Sequence, residues 1–590
     1  MSDASTTLDV PVAFAAATVA ADGDGLRIHL PTDATRADAR ATARVHRPAL
    51  VRDALLALGD VLASDLRYRG RDRADYLAYL LAKGKGVSKQ VWDAQKEYLQ
   101  LRYAEAARAE EPLDPVLTVG ADALRVELLS RDESAYAQLA IGADALAAPA
   151  LTPGTTLLDL GPGALRAIGR MRTYRPTTLD LAPAADAPAA SRRVPLRWLR
   201  ALGQIQAAAL LPAERFTLAP IDLYNVLQAL RMRKAKQAPR ALRYELVPGQ
   251  PPRIVLEPWD LVLTATGGPY TGTRPMVVRT WGRGRLQVLA RLLPHARRIE
   301  VHLLGPGLPA FYVVDAGDAT LTLGLSGWTD AGWAGVATFD QLAVGADAPD
   351  ADAALAARLA AGLPLAELTP TTRAALGAEA ASLRAAIDLA RGVAFARPLL
   401  ATPPPADALR YRDAREAAAH RLLADAAQVT LTKVHDLGAE GERIEGQVDD
   451  ARAHRRFIAG FTIDREGRTA GATCTCPAFR RAGVKEGPCE HMIALRVLHA
   501  RTQAQLAAAR ATDDGRRLIR AETRTLFRRT PRGSETFRLS LDDRSVVARW
   551  GAAEPLRMTR QLYPSADEAR ADYFARLDEL ARKGFIDATA

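Results

Sequence analysis

The stretch that decides how this chain is organised is Cys474-Thr475-Cys476, then twelve residues from Pro477 to Pro488, then Cys489-Glu490-His491. Its three cysteines are the only ones in 590 residues, and they fall within sixteen positions of one another beside a histidine. Three unliganded core cysteines with a surface histidine is the alternative interpretation, but free cysteines have no physical reason to cluster. Three thiolates and one imidazole complete the tetrahedron that Zn²⁺ prefers. We therefore expect one structural zinc ion on Cys474, Cys476, Cys489 and His491, with no open position for catalysis.

The residues around the two ligand pairs predict a β-hairpin followed by a helix. Arg455–Ile463 and Arg468–Thr473 have the composition of two strands, with a turn at Asp464–Gly467 between them. After Gly487-Pro488, an apolar pattern predicts a helix over Glu490–Ala509, which places Cys489 and His491 at its start. His499 is a rival fourth ligand, but eight residues along a helix is about 12 Å from His491, too far to bind the same ion.

The pattern Cys-x-Cys, a spacer, and Cys-x-His, with a hairpin before it and a helix after it, resembles the SWIM-type zinc finger. That resemblance implies binding of nucleic acid or of protein. SWIM proteins occur in bacterial chains of unknown role, and related ones lie beside MoxR-type AAA+ ATPases and von Willebrand A-domain proteins. The resemblance therefore also implies a possible scaffold role among such partners.

Positive charge is concentrated around the proposed finger. Residues 451–530 hold 17 Lys and Arg against 7 Asp and Glu, a net charge of +10, while the whole chain carries +11. A concentrated positive field is typical of a phosphate-binding surface, although acidic proteins would also be attracted to it. The side chains expected to contact nucleic acid are Arg480, Arg481, Lys485, Arg516, Arg517, Arg520, Arg528, Arg529 and Trp550.

The last seventy residues predict a small antiparallel sheet with one helix. Strands are expected at Thr536–Leu541, Ser545–Gly551 and Leu556–Tyr563, followed by a helix that starts after Ser565 and ends at Gly584. This order, with Arg549-Trp550-Gly551 on the second strand, resembles the WGR domain, which implies DNA binding. The sequence departs from that family at Ala552, where the family has arginine, and at 553–555, where its glycine loop is shortened.

Length and composition predict an α+β multidomain protein with most of its chain folded, since 48% of the residues are hydrophobic and 25% are charged. Helices are expected at Pro48–Asp65, Arg73–Ala82, Ser88–Arg108 and Glu133–Leu139. The expected divisions are an N-terminal α/β region at 1–182, a middle α+β region at 192–345, an Ala-rich helical segment at 350–400, the SWIM zinc-finger domain at 406–510 and a WGR-like domain at 520–590.

Three classes of function remain open at this stage. The first is a zinc-binding, non-enzymatic protein that binds nucleic acid, DNA more than RNA, through its basic C-terminal region. The second is an adaptor in a MoxR AAA+ and von Willebrand A-domain type assembly. An enzyme comes last, because no metal triad or nucleophile motif is visible in residues 1–400. We expect neither a signal peptide nor a membrane span, and a cytoplasmic location.

Overall fold

The computed structural model describes residues 7–36, 39–65, 112–113, 115–236, 240–273, 275–305, 308–326, 353–402, 409, 411, 414–437, 441–463, 469–483, 488–510, 512–531, 533–552 and 556–587. The predicted helices at Arg73–Ala82 and Ser88–Arg108 lie outside these residues. The protein has a mixed α/β multidomain architecture with several separate sheets. None of the helices in the described ranges combines enough length with enough apolar sequence to cross a lipid bilayer.

The first 400 residues contain most of the strands. These are β1 (Thr7–Ala13), β2 (Thr18–Asp22), β3 (Gly25–Pro31), β4 (Arg40–Val45), β5 (Val116–Val119), β6 (Ala123–Leu129), β7 (Ala135–Gly142), β8 (Leu146–Thr152), β9 (Gly154–Leu157), β10 (Thr177–Ala182), β11 (Ala189–Pro195), β12 (Glu214–Leu218), β13 (Leu242–Leu246), β14 (Arg253–Leu256), β15 (Leu261–Thr264), β16 (Met276–Thr280), β17 (Arg298–Leu303), β18 (Ala310–Asp315), β19 (Ala319–Leu325), β20 (Leu363–Pro364), β21 (Ala385–Asp388) and β22 (Val393–Ala396).

The helices of this part are α1 (Pro48–Ala63), α2 (Pro162–Ile168), α3 (Leu196–Ala209), α4 (Pro220–Met232), α5 (Ala353–Ala361) and α6 (Pro370–Ala381). Helix α1 confirms the helix expected at Pro48–Asp65. It begins with a proline at its first position, where the missing N–H would have no helical partner in any case.

An eight-stranded sheet, in the order β12-β17-β18-β19-β7-β6-β5-β9, is the centre of this part. It takes strands from 116–157 and from 214–325, so the regions expected at 1–182 and 192–345 share one sheet. Helix α1 covers one face, where Leu128 and Leu139 lie in its core, and α3 covers the other, against Tyr136 and Phe311. Smaller sheets surround it: β1-β11, β2-β3-β10-β4-β8, β15-β14-β13-β16 and β20-β22-β21.

One prediction of helix in this part was wrong, and a second is confirmed only for part of its length. Of the residues predicted as helix at 133–139, those from Ala135 onward belong to β7. All eight residues of β7 are buried, because helices cover both faces of its sheet. A strand buried on both faces has no alternating pattern, so its sequence resembles that of a buried helix. The Ala-rich segment at 350–400 forms α5 and α6 but then the hairpin of β21 and β22, whose alanines are buried in tertiary contacts that override helix propensity.

The zinc-finger region is a four-stranded antiparallel sheet with a long helix across one face. Its elements are α7 (Ala414–Leu423), β23 (Val429–Asp436), β24 (Glu442–Asp450), β25 (Arg455–Ile463), β26 (Thr469–Cys474), α8 (Pro477–Ala482), α9 (Glu490–Arg510) and α10 (Asp513–Leu518). The sheet order follows the chain, β23-β24-β25-β26, so the predicted hairpin is confirmed as its last two strands. Helix α9 packs on this sheet, and α7 packs on α9.

The C-terminal unit contains β27 (Ala521–Thr530), β28 (Gly533–Asp542), β29 (Ser545–Gly551), β30 (Arg557–Leu562), α11 (Ala566–Arg582) and β31 (Ile586–Asp587). Its sheet has the order β30-β29-β28-β27-β31, and α11 packs against β28 and β29. The predicted strands and helix are present, and Ser565 caps α11 by accepting a hydrogen bond from the Glu568 amide. Arg528 and Arg529 of the basic stretch lie on strand β27, which the sequence analysis did not predict.

A buried ion pair joins the zinc-finger region to the eight-stranded sheet. Arg200 on α3 donates two hydrogen bonds of 2.9 Å to the two carboxylate oxygens of Glu416 on α7. Both side chains are less than a tenth exposed. The fork-to-fork geometry compensates for part of the desolvation that two buried charges cost.

We expect Arg200→Met to lower the free energy of unfolding by about 3–5 kcal/mol, because it leaves the Glu416 carboxylate buried without its guanidinium. The double variant Arg200→Met and Glu416→Met should recover at least half of that loss, since no uncompensated charge remains. Urea denaturation followed by tryptophan fluorescence measures both, because Trp198 is buried two residues before Arg200 on the same helix. Equal losses in the single and double variants would show that the charge pairing itself contributes nothing.

Candidate metal centre

The end of β26 brings the first two cysteines to one side of the sheet. Cys474 is paired with Ala459 of β25, and Thr475 continues the ladder by donating its backbone N–H to the Ile458 carbonyl oxygen at 3.0 Å. The Thr475 hydroxyl oxygen in turn accepts a bond of 2.9 Å from the Ile458 amide. Because side chains alternate along a strand, Cys474 and Cys476 share the face that α9 covers.

Two helix starts supply the rest of the site. The Cys476 sulfur accepts a hydrogen bond from the Phe479 amide at 3.4 Å and so caps α8, which begins at Pro477. Cys489 immediately precedes α9, and His491 lies in that helix's first turn. The N–H groups at the start of a helix have no partners within it, and they favour the thiolate form of a nearby cysteine.

The four predicted ligands converge. One ligand atom from each of Cys474, Cys476, Cys489 and His491 lies within 4.8 Å of all the others, and all four residues are buried. The Cys474 sulfur lies 4.0 Å from Nδ1 of His491. Zn–S bonds of about 2.3 Å in a tetrahedron put neighbouring ligand atoms about 3.5–4 Å apart, so this donor set fits a four-coordinate zinc ion.

An aspartate that the sequence analysis did not identify orients the histidine. Nε2 of His491 lies 3.4 Å from a carboxylate oxygen of Asp450 at the end of β24, and Nδ1 faces the sulfurs. The ring also lies against Phe457, with 4.4 Å between the ring centroids. A carboxylate on the outer nitrogen fixes the tautomer that binds metal through the inner one. No local motif distinguishes Asp450, because it reaches the site only when β24 pairs with β25.

Without metal, the site favours protonated ligands. A hydrogen bond with Cys474, together with burial, raises the pKa of Cys489 to about 12. Burial also raises the pKa of Cys476. Burial alone would lower the pKa of His491. The interactions of its ring with Cys489, Glu490 and Asp450 outweigh the effect of burial, so the pKa of His491 is raised. A divalent cation reverses this balance, because it stabilises thiolates and a neutral imidazole.

The rival ligand His499 lies elsewhere on α9. It is 4% exposed, packs edge-on against Phe461 and lies 3.7 Å from a carboxylate oxygen of Glu442. Burial, with a smaller effect from Arg496, lowers its pKa to about 4, so it is neutral at physiological pH. His499 is not among the residues whose ligand atoms converge, as the spacing along the helix predicted.

A glycine in β24 allows α9 to lie close to the sheet. A Cβ atom built on Gly446 would lie 2.1 Å from Cδ1 of Leu495 on α9 and 2.7 Å from the Thr430 carbonyl oxygen on β23. Leu495 is fully buried in the core that also contains the three cysteines. The position of α9, and with it of His491, therefore depends on the absence of a side chain at residue 446.

The structure places the predicted nucleic-acid contacts in two groups. Arg480 and Arg481 on α8 and Arg517 and Arg520 around α10 are exposed, and Lys485 lies outside the described residues. Arg516 is half-buried, with its guanidinium 5.5 Å from the centroid of the Phe574 ring.

The other predicted contacts also make contacts within the protein. Arg528 forms an ion pair of 2.7 Å with Glu535 and lies over the Phe585 ring. Arg529 lies 4.0 Å from the buried Glu245 carboxylate of β13. Trp550 stacks on Phe537, with ring centroids 5.9 Å apart and 16° between the ring planes.

Two further exposed arginines, which the sequence analysis did not identify individually, lie at the metal end of the sheet. Arg452 lies in the turn between β24 and β25, and Arg455 is the first residue of β25, where it pairs with the Asp450 that contacts His491. Four exposed basic residues around the metal centre are Arg452, Arg455, Arg480 and Arg481. Arg456 is exposed as well, but it forms an ion pair of 2.6 Å with Asp449. The sequence placed all four in the basic stretch, but only the fold gathers them around one site.

A comparison with protein-family models agrees with this geometry. Residues 455–495 match the SWIM zinc finger. These residues are similar to the SWIM zinc finger, and we call the zinc-finger region that contains them the SWIM finger. The match runs from the first residue of β25 to the first turns of α9 and includes the four ligands. The SWIM finger accounts for one structural zinc ion on Cys474, Cys476, Cys489 and His491.

Comparisons with whole proteins contribute little more. No curated protein sequence matches the chain. Among solved structures, the crystal structure of Proliferating Cellular Nuclear Antigen from Entamoeba histolytica matches at 9% identity, covers 48% of this chain and 98% of that chain, and has a TM-score of 0.32. A TM-score of that size does not establish a shared fold.

We expect Gly446→Ala to lower the free energy of unfolding of the SWIM finger by about 1–3 kcal/mol, because the new methyl group forces Leu495 and α9 away from the sheet. Gly471→Ala in β26 is the matched control, since its added Cβ would have no atom within 4 Å. Limited proteolysis of the zinc-loaded protein measures both variants. Cleavage at equal rates in the two variants would contradict the close packing described for residue 446.

Zinc binding to the metal-free protein at pH 7 should release about three protons, one from each thiol, plus a fraction of one from His491. Burial raises the pKa of Cys476, and a hydrogen bond with Cys474 together with burial raises the pKa of Cys489, so protons compete with the metal at these ligands. Zinc affinity should therefore fall as the pH is lowered. Calorimetric titration in buffers with different enthalpies of ionisation measures the number released. Release of one proton or none would mean that the thiols do not bind the metal as thiolates.

Proposed function

We propose that this protein is non-enzymatic and binds nucleic acid, DNA in preference to RNA, through the basic surface around the SWIM finger. The observation that carries the proposal is the position of Arg452, Arg455, Arg480 and Arg481, which are exposed on two separate segments beside the metal centre. Guanidinium groups in this arrangement can form paired hydrogen bonds with phosphate oxygens. The SWIM finger itself is consistent with binding of nucleic acid or of protein.

In this proposal the zinc ion stabilises the fold and does not contact the nucleic acid. It would join the end of β26 to the start of α9. Helix α8, which bears Arg480 and Arg481, follows β26 directly, and β25, which begins at Arg455, pairs with β26. A closed four-ligand site leaves the metal no position for substrate. Contacts with phosphate from such a surface provide affinity without base specificity, so binding is expected to weaken steeply as salt is added.

The C-terminal unit extends the proposed surface. Its strand and helix order supports the proposal of a WGR-like domain, which the sequence resemblance associates with DNA. Arg517 and Arg520, exposed between the finger and β27, would contact phosphate most directly. Arg528, Arg529 and Trp550 would also have to keep or exchange their contacts with Glu535, Glu245 and Phe537.

One observation favours an adaptor role as the second candidate. The buried pair of Arg200 and Glu416 attaches the SWIM finger to the eight-stranded sheet, so the finger is part of a larger body. A rigid body of this kind could present the finger to MoxR-type AAA+ ATPases and von Willebrand A-domain proteins, as the resemblance implies. Reduced cysteine ligands suit the cytoplasm for either role.

The variant Arg480→Ala with Arg481→Ala should bind DNA more weakly and reduce the slope of log affinity against log salt by about 2, because two phosphate contacts are lost. Fluorescence anisotropy of the zinc-loaded protein with 5′-phosphorylated duplex and single-stranded DNA measures this. Arg166→Ala with Arg170→Ala is the matched control, since both arginines are exposed in and just after α2, and it should behave as wild type. Absence of DNA binding at low salt would contradict the proposal and favour the adaptor role.

A further inference from the structure

Strand β30 is the edge of the C-terminal sheet. Within the described residues it pairs only with β29, and all six of its residues are exposed. Proteins usually protect an edge strand with a short length, a proline, a bulge or a covering loop, because the free edge can pair with another chain. Two large apolar side chains of β30 are exposed as well, Met558 at 59% and Leu562 at 66%.

The pairing shows which residues of β30 face the free edge. The Tyr563 amide donates to the Arg544 carbonyl oxygen at 2.8 Å, just beyond the register pair of Ser545 with Leu562. In an antiparallel ladder, pairs that exchange hydrogen bonds alternate with pairs that do not. Met558, Arg560 and Leu562 therefore belong to the pairs that exchange no backbone hydrogen bonds with β29. Their N–H and C=O groups point away from β29, toward the free edge.

The same three residues share one face of the sheet. Gln561 accepts a hydrogen bond from Arg576 of α11, which places Gln561 on the helix-covered face. Because side chains alternate, Met558, Arg560 and Leu562 lie on the opposite face. Arg549 of β29, also exposed, is the register partner of Met558 on that face. The edge thus presents apolar, cationic and apolar side chains in turn, above a row of free backbone groups.

We propose that β30 binds an extended acidic segment of a partner protein by strand addition. The new strand would form hydrogen bonds with the free backbone groups of residues 558, 560 and 562, place apolar side chains beside Met558 and Leu562, and place carboxylates beside Arg557 and Arg560. The charge of β30 decides the kind of partner. Arg-Met-Thr-Arg-Gln-Leu contains two arginines and no acid, so a second copy of this strand would bring like charges together.

The test uses the full zinc-loaded chain and two labelled peptides. The acidic peptide Ile-Thr-Glu-Thr-Ile-Glu puts Ile opposite Leu562 and Met558 and Glu opposite Arg560 and Arg557 in an antiparallel register. The basic peptide Ile-Thr-Lys-Thr-Ile-Lys is identical except for charge. Fluorescence anisotropy should show the acidic peptide binding about 10-fold more tightly than the basic one, because two cross-strand charge pairs change sign.

Charge reversal separates this proposal from general electrostatic attraction. In Arg557→Glu with Arg560→Glu, the preference should invert in favour of the basic peptide. Arg582→Glu, an exposed arginine on α11, is the control and should keep the wild-type preference. No binding of the acidic peptide to the wild-type protein, or an acidic preference that survives the reversal, would overturn the proposal. The proposal would also be overturned if the charge-reversal variant lost DNA binding and neither peptide bound the protein. Strand β30 would then be a nucleic-acid surface.

A second pair of variants tests the backbone. Arg560→Pro removes one N–H group that points to the free edge, at a position where proline does not disturb the pairing with β29. Arg560→Ala removes the same side chain but keeps that N–H group. The proline variant should bind the acidic peptide at least several-fold more weakly than the alanine variant. Equal binding by the two would overturn strand addition as the mode of contact.

Discussion

Four buried ligand atoms from two distant pairs hold the SWIM finger together. Cys474 and Cys476 come from the end of one strand, and Cys489 and His491 come from the start of the longest helix of the region. The core beneath them is small, and structural zinc in finger peptides contributes about 10–16 kcal/mol of apparent binding free energy. We therefore expect the metal to replace part of the apolar burial that a small domain lacks.

The rest of the chain makes this finger part of a larger body. Helix α7 connects α9 to α3 through Arg200 and Glu416. The C-terminal unit contacts the sheet of β13–β16, where Phe527 and Ile586 pack against Val277 and the guanidinium of Arg243 lies over the Phe527 ring. The contact through Phe527 and Ile586 lies at the β27 and β31 edge of the C-terminal sheet and leaves β30, at the opposite edge, exposed.

The sequence allowed the ligands to be predicted because their chemistry is local and their spacing is unusual. The hairpin and the helix around them were predictable for the same reason. Asp450 and Gly446 were not, because each acts on a residue that only tertiary pairing brings near. In the leading region, β7 was predicted as helix since both of its faces are buried, and β21 and β22 were hidden by alanine composition. Long-range contacts decide such segments, and periodicity does not reveal them. The predicted domain boundaries and nucleic-acid contacts stay predictions.

X-ray absorption at the zinc edge of the purified protein tests the account of the metal centre most directly. We predict a first shell of three sulfur atoms at about 2.3 Å and one nitrogen atom at about 2.0 Å, with no oxygen ligand. That result would establish a closed structural site made of the three cysteines and one histidine. A shell with fewer sulfurs and a coordinated water would contradict this account. The zinc ion would then have an open coordination position, and its role could not be purely structural.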